Sequence, residues 1–277
     1  MLEDLFTEIL AEPLCTIDQA STELAKEWGF YAERPKMRGW TSYNKFLACP
    51  RMFKLAKDKV DVGVKLRFEM GIAIHFLLEC KRRGKSLEIV KDALLDKETD
   101  AAIVLEAFKI ASAYCIRYAN EPFEVVAIEE WLIDPVLEYC SRIDLGVRVT
   151  RFDPFFPTEG FWILDYKSTS RFDDTNKTKW KHDGELLGLA HCYIASGQPY
   201  GPLQGVVVDL IGKQKAPKFL RIPVLVRESD LTDWRQAIVR VKDKISLLDN
   251  TAQTCWEKNN AACVGRYGPC DYYDICW

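Results

Sequence analysis

Residues 161–169 read FWILDYKST. Four apolar residues run straight into Asp165, an aromatic follows, and Lys167 comes next. A short apolar run of this kind reads as a buried strand. Side chains alternate along a strand, so Asp165 and Lys167 leave it on the same side. A core strand thus ends by setting a carboxylate beside an ammonium. The bland account is a solvated pair where the chain meets water, and exposed pairs contribute only about 0–1 kcal/mol. D-x-K decides nothing until its neighbours are read.

The flanking segments make a sheet. FEVVAIEEWLI (123–133) and EYCSRIDLGVRVT (138–150) precede the stretch as strand-like runs, and LQGVVVDLIG (203–212) and KFLRIPVLV (218–226) follow it. GELLGLAHCYIAS (184–196) is helical, and ESDLTDWRQAIVRVKDKISLLDN (228–250) is a long helix capped near Ser229. Upstream the pattern is helical. LEDLFTEILAE (2–12) and IDQASTELAKEWGFYAE (17–33) come first. TSYNKFLACP (41–50) follows, with Thr41 or Ser42 as N-cap and Pro50 bending or ending the helix. Residues 66–81 and Glu98 to Tyr118 supply two more helices. This order predicts a mixed α/β or α+β fold, a central sheet with helices around it. The expected organisation is a helical extension over 1–38, a core over 39–250 with a helical insertion at about 82–120, and a cysteine-rich tail over 251–277.

The 277 residues are 48% hydrophobic and 29% charged, enough for an ordinary core. No run of 18 apolar residues occurs, so no membrane span is expected. The opening MLEDLFTEILAEPL lacks a basic n-region, which argues against a signal peptide and for a cytoplasmic protein. A formal net charge of −3 argues against a general polyanion binder. The charge is uneven, however. Seven Lys/Arg fall between Lys45 and Arg67, Arg51 and Lys54 among them, and KRRGK (81–85) and NKTKWKH (176–182) add more. These are either solvated helix faces or a local basic groove. Trp40, Tyr43, Phe46, Phe53, Phe68 and Trp180 lie among them, as core residues or as platforms for unstacked bases.

Asp144, in SRIDLG, lies on the strand before FWILDYKST. Neighbouring strands can bring Asp144 and Asp165 together at one end of the sheet. Two carboxylates with a carbonyl and water suit a hard divalent cation, Mg²⁺ or Mn²⁺. Lys167 would then stand beside a metal-bound water, to orient or deprotonate it or to stabilise charge on a phosphate. In MGIAIHFLLE (70–79), Gly71, His75 and Glu79 share one helix face. His75 is either a core histidine or a partner of carboxylates on Mn²⁺. Ten cysteines are present, and Cys255, Cys263, Cys270 and Cys276 crowd the tail. Without a secretion signal a disulfide framework is not expected.

The ordered set GIAIH (71–75), SRID (141–144) and LDYK (164–167), followed by a helix, resembles the PD-(D/E)xK nuclease superfamily. It is most similar to the RecB-like exonuclease branch, over roughly residues 41–276. The resemblance implies a restriction-endonuclease-like fold. It also implies that His75, Asp144, Asp165 and the Tyr166 carbonyl bind metal while Lys167 is catalytic. RecB-like nucleases usually carry Gln and Tyr on the next helix. Here Glu185 stands at the Gln position and Leu189 at the Tyr position, with Tyr193 one turn later as its substitute. Glu185 accordingly joins the expected catalytic set, and Arg51, Lys54 and Tyr193 are the expected DNA-binding residues. AddB-like and CRISPR-associated relatives suggest a [4Fe–4S] cluster on Cys49, Cys263, Cys270 and Cys276. The C-x6-C-x5-C spacing is wider in its first gap than the family's. Four thiolates suit such a cluster and equally suit Zn²⁺, and free reduced thiols are the third reading.

The resulting expectation is a metal-dependent DNA exonuclease. It would act on single-stranded or duplex ends in recombination, repair or phage replication, with room for a helicase or recombination partner and none for a membrane. The alternatives are a DNA-end-binding module with a weakened site and a sequence- or structure-specific endonuclease.

Overall fold

The computed structural model describes residues 15–60, 69–180, 183–265 and 268–277. In chain order the helices are α1 (Ile17–Glu27), α2 (Trp40–Ala48), α3 (Pro50–Lys57), α4 (Glu69–Arg82), α5 (Leu87–Asp96), α6 (Ala101–Arg117), α7 (Asp174–Lys179), α8 (Gly184–Ala195), α9 (Glu228–Asp249) and α10 (Tyr273–Cys276). The strands are β1 (Phe123–Asp134), β2 (Tyr139–Val149), β3 (Gly160–Thr169), β4 (Leu203–Gly212) and β5 (Lys218–Val224), followed by a two-residue-per-strand hairpin in the tail. The segment LEDLFTEILAE and the start of the 66–81 pattern lie outside the described residues. The chain packs as two compact units, residues 1–31 with 65–119 and residues 32–64 with 120–277.

The first unit is helical. Thr16 and Gln19 open α1 with a reciprocal capping box. Ser86 caps α5, and Asp100 caps α6 through the N–H groups of Ala102 and Ile103. Their apolar stripes (Leu24, Val90, Leu94, Val104, Ile110) are buried with Ile74 and Leu77 of α4. Helix α5 lies in the stretch expected as a helical insertion, although it was not delimited there; Ser86 is an ordinary cap for it.

The second unit carries the sheet, ordered β1-β2-β3-β4-β5. The pairs β1–β2, β2–β3 and β4–β5 are antiparallel, and β3–β4 is parallel. A parallel pair needs a long crossover, and the chain between β3 and β4 carries α7 and α8. The mixed α/β expectation holds. β3 lies at the centre, and Phe161 through Tyr166 are all buried, which is why its run is continuously apolar rather than alternating. On one face Leu186, Leu189, Ala190 and Tyr193 of α8 join Phe161, Ile163, Val206 and Val208, with Trp234, Ile238 and Val241 of α9. Burying each Val, Leu, Ile or Phe side chain among them is worth about 1.5–3 kcal/mol. The approach of α8 is close: a Cβ on Gly188 would fall 2.2 Å from the Tyr139 hydroxyl.

Two helix starts differ from expectation. α2 begins after Gly39, not after Thr41 or Ser42, and Gly39 gives no side-chain cap. The start is set from outside: Arg38 bridges to Tyr139, Cys140 N–H donates to the Arg38 carbonyl at 3.0 Å, and a Cβ on Gly39 would meet the Cys140 oxygen at 2.9 Å. α9 begins after Arg227, two residues ahead of Ser229. Pro50 both ends α2 and opens α3 at its first turn, where its missing N–H costs nothing.

The tail is tied back to α2 and α3. Trp256 is fully buried, 5.9 Å from the Phe53 ring in a stacked arrangement and edge-on to Phe46 at 6.3 Å. Arg51 Nε donates to the Trp256 carbonyl at 2.9 Å, and Arg51 N–H to the Glu257 carbonyl at 3.1 Å.

At the end of β1, Asp134 accepts from Val136 and Leu137 N–H groups and lies 2.6 Å from His191 Nε2 on α8. Burial pushes the Asp134 carboxyl up, but the hydrogen bonds from His191, Leu137 and Val136 outweigh it and hold the group below its ordinary value. A depressed carboxyl contributes stability that is present above the unfolded pKa and lost as pH falls through the folded one. Asp134→Asn should therefore destabilise by about 1.5–3 kcal/mol near neutrality. In thermal melts across pH, the gap from wild type should narrow below about pH 4.

Candidate active site

The β2–β3 ladder ends at the pair Leu145–Leu164. One further step of the same register sets Asp144 across from Asp165. There the ladder gives way to a side chain: Asp144 Oδ2 accepts from the Tyr166 N–H at 2.7 Å. Asp144 thereby satisfies a main-chain donor on β3 and is fixed against it. β3 continues along β4, with Asp165 opposite Val208 and Lys167 opposite Leu210.

Lys167 Nζ donates to Asp165 Oδ1 at 3.1 Å, lies 2.9 Å from Asp165 Oδ2, and lies 3.2 Å from Glu185 Oε2. The alternation read from the sequence is thus realised, but the pair is not the solvated one of the bland account, since Asp165 is 4% exposed. Glu185 reaches it from the first turn of α8, where Asp183 is the N-cap and accepts from the Glu185 N–H at 2.8 Å. Asp183 was not singled out from the sequence; D-G-E ahead of an apolar run is an ordinary N-cap signal. A carboxylate in the first turn also has the favourable end of the helix dipole beneath it. The Trp180 ring forms a neighbouring wall, its centroid 5.9 Å from Lys167 Nζ.

The electrostatics follow from three acids around one base. Burial is the largest influence on Asp165 and, with Asp144 and Glu185 nearby, pushes its carboxyl up to about 8 against the pull of Lys167. Burial works against the Lys167 charge, yet Asp165, Glu185 and Asp144 together hold the ammonium above the ordinary lysine range. The cluster is short of positive charge, and an additional cation is what such a donor set accepts. In the geometry present, the carboxylates are turned to Lys167 and to the Tyr166 N–H. Among the described residues no three His, Cys, Asp or Glu side chains form a group that could hold a metal ion.

Other expected site residues are placed as follows. His75 is half-buried on α4 of the first unit, and Glu79 on the same helix receives Arg83 Nε at 2.9 Å. Tyr193 is fully buried, stacked 4.4 Å from Phe161, and its hydroxyl donates to the Gly201 carbonyl. Leu189 is buried beside it in the same core. Arg51 is committed to the tail as described, and Lys54 is paired with Asp58 at 2.6 Å. Cys49, Cys263, Cys270 and Cys276 all line one pocket, with Met52, Lys258, Tyr272 and Tyr273. Cys49 sits between α2 and α3, where its sulfur accepts from the Asn259 N–H at 3.4 Å. Burial, the largest influence, raises the Cys276 thiol. Among the described residues no disulfide joins the cysteines, and Cys255 is exposed away from the pocket. No described helix is long and apolar enough to cross a membrane.

A family model for the PD-(D/E)XK nuclease superfamily matches residues 40–277. Among solved structures, a "Putative exonuclease" from Eubacterium rectale is similar at 14% identity and a TM-score of 0.50, covering 86% of this chain and 87% of that one. A structure described as SSO0001 aligns at 12% identity over 94% of this chain and 95% of that one, with a TM-score of 0.41. No curated protein matches the chain in sequence.

Proposed function

The chain belongs to the PD-(D/E)XK nuclease superfamily, and from that premise we propose that it is a divalent-cation-dependent deoxyribonuclease acting exonucleolytically from DNA ends. The observation that carries the proposal is the convergence of Asp144, Asp165, Lys167 and Glu185 at the end of β3. Asp144, Asp165 and the Tyr166 carbonyl would hold Mg²⁺ or Mn²⁺. When bound, such an ion supplies Lewis-acid stabilisation of the phosphate and lowers the pKa of water. The chain's own residues do the remainder. Lys167 places a fixed positive charge where the phosphate oxygens gain negative charge. Asp144, anchored on the Tyr166 N–H, keeps the two strands in register at the reacting centre. Trp180 closes one side of the lysine against water.

The likeness to the Eubacterium rectale structure extends to the fold; the exonucleolytic preference is the reading suggested by the RecB-like motifs. Covalently closed circular DNA tests it. An exonuclease with Mg²⁺ or Mn²⁺ degrades linear strands and spares the circle, whereas cutting of the circle would establish an endonuclease. Binding of DNA without products in either metal would establish a DNA-end-binding module.

The cysteine pocket supports a second element of the proposal. The four thiols border one pocket without forming a metal-holding group as they stand; drawn together they would be the donor set of a [4Fe–4S] cluster, with Zn²⁺ as the competing occupant. Its role would be to staple the tail to the α2–α3 junction. Protein purified without oxygen should be brown and contain iron and sulfide. Cys270→Ser should lower both and loosen the tail. Stoichiometric zinc in colourless protein would overturn the cluster.

A further inference from the structure

Lys167 is shared between two acids on different elements. Asp165 is its neighbour on β3, with its side chain 6% exposed, while Glu185 comes from α8 and is 39% exposed. Accepting the nuclease reading, these two acids have different duties. A divalent cation held by Asp165 takes lone pairs that now face the ammonium. It also stands within a few ångströms of another positive charge, in a buried site where repulsion is weakly screened. If Asp165 were the only partner of Lys167, every cation bound would have to displace the lysine it works with. We infer that Glu185 is a positioning residue: it anchors the Lys167 ammonium when a divalent cation claims Asp165, so that metal and lysine occupy the site together.

Three features support this assignment. Glu185 Oε2 already lies 3.2 Å from Lys167 Nζ, so the alternative anchor needs no rearrangement. The Glu185 main chain is fixed by the Asp183 cap, which sets the side chain's point of departure. Its side chain is 39% exposed at the start of α8, over the end of the helix dipole that favours a carboxylate. A second ligand role for Glu185 would make a different prediction, because a ligand acts on the metal whether or not Lys167 is present.

The test is a double-mutant cycle on Mn²⁺ affinity, read by calorimetry on the full chain and independent of cleavage. The four proteins are wild type, Glu185→Gln, Lys167→Met and the double variant, each checked for folding by its melt. Glu185→Gln should weaken Mn²⁺ binding at least about tenfold when Lys167 is present. With Lys167→Met in place, the ammonium that competes for Asp165 is gone, and the same Glu185→Gln change should weaken binding at least about threefold less. Glu185→Asp keeps the charge on a shorter arm and should recover part of the wild-type affinity. A loss at Glu185→Gln that persists undiminished beside Lys167→Met overturns the inference in favour of direct ligation, and no loss in either background overturns it outright. If wild type binds Mn²⁺ and cuts DNA while the cycle shows no coupling, only this inference fails. If wild type neither binds the ion nor cuts, the nuclease reading falls and this falls with it.

Discussion

Asp165→Asn should reduce Mg²⁺-dependent cleavage of linear DNA by about 10²–10³-fold or more, with the fold retained. The substitution keeps the shape of the side chain and its place between Leu164 and Tyr166. It removes the one carboxylate that is both buried and in direct contact with Lys167. Because Asp144 and Glu185 crowd the same lysine, neutralising Asp165 relieves repulsion in the metal-free protein. The melting temperature should therefore hold or rise while activity collapses, the signature of a residue kept for chemistry at some expense of stability. Lys167→Ala should lose cleavage too, but it strips the cation from three acids and is expected to melt lower. Paired melts and initial rates separate the two effects. Wild-type rates in Asp165→Asn would place the chemistry elsewhere.

The largest loss of stability is expected at Arg221, remote from chemistry. Its guanidinium, 3% exposed, donates from Nε to Asp209 Oδ2 at 3.0 Å and makes a two-pronged pair with Glu121 at 2.7 and 2.8 Å. It thus ties β5 to β4 and to the segment leading into β1, and it packs over the rings of Phe123 and Phe156. Asp209 is fully buried. Arg221→Met preserves much of the apolar stem but leaves two acids without their shared cation. Breaking a buried pair from one side costs about 3–5 kcal/mol, a large share of an ordinary domain's stability. Denaturant unfolding should show a lower midpoint with an unchanged slope. A midpoint within error of wild type would mean that Asp209 can reach water or another donor at no cost.

These two sites differ in how far the sequence disclosed them. The sheet was legible because β3 is central and buried on both faces, so its apolar run is unbroken. That neighbouring strands can bring Asp144 to Asp165 was legible too, but the register of β2 on β3 was not. Asp165 and Lys167 were legible for the same reason, at the end of that run, whereas Asp144 lies midway along β2 and was legible through its place among the ordered motifs. Glu185 was legible as an acid near the site, but not as a partner of Lys167, because the pairing depends on how α8 crosses the sheet. Tyr193 was misleading for that reason as well. One helical turn beyond Leu189, it faces Phe161 and completes the core. Arg51 and Lys54 carried a charge signal that local partners absorb, in the tail carbonyls and in Asp58. The start of α2 was hidden because the pairing of Arg38 with Tyr139, a tertiary contact, outranked the Thr41 and Ser42 caps. The Arg221 network left no trace, since Glu121, Asp209 and Arg221 are scattered and each is a common residue.

The docking of Trp256 has a consequence for how the protein is born. Arg51 and Trp256 are joined across 205 residues of chain, and Phe46 and Phe53 are synthesised long before the indole that stacks on them. At about 5–20 residues per second of synthesis, that pair waits roughly 10–40 s beside the growing chain. Through that interval Phe46 and Phe53 lack the indole that covers them in the finished fold. The tail can therefore close on α2 and α3 only once synthesis has reached Trp256.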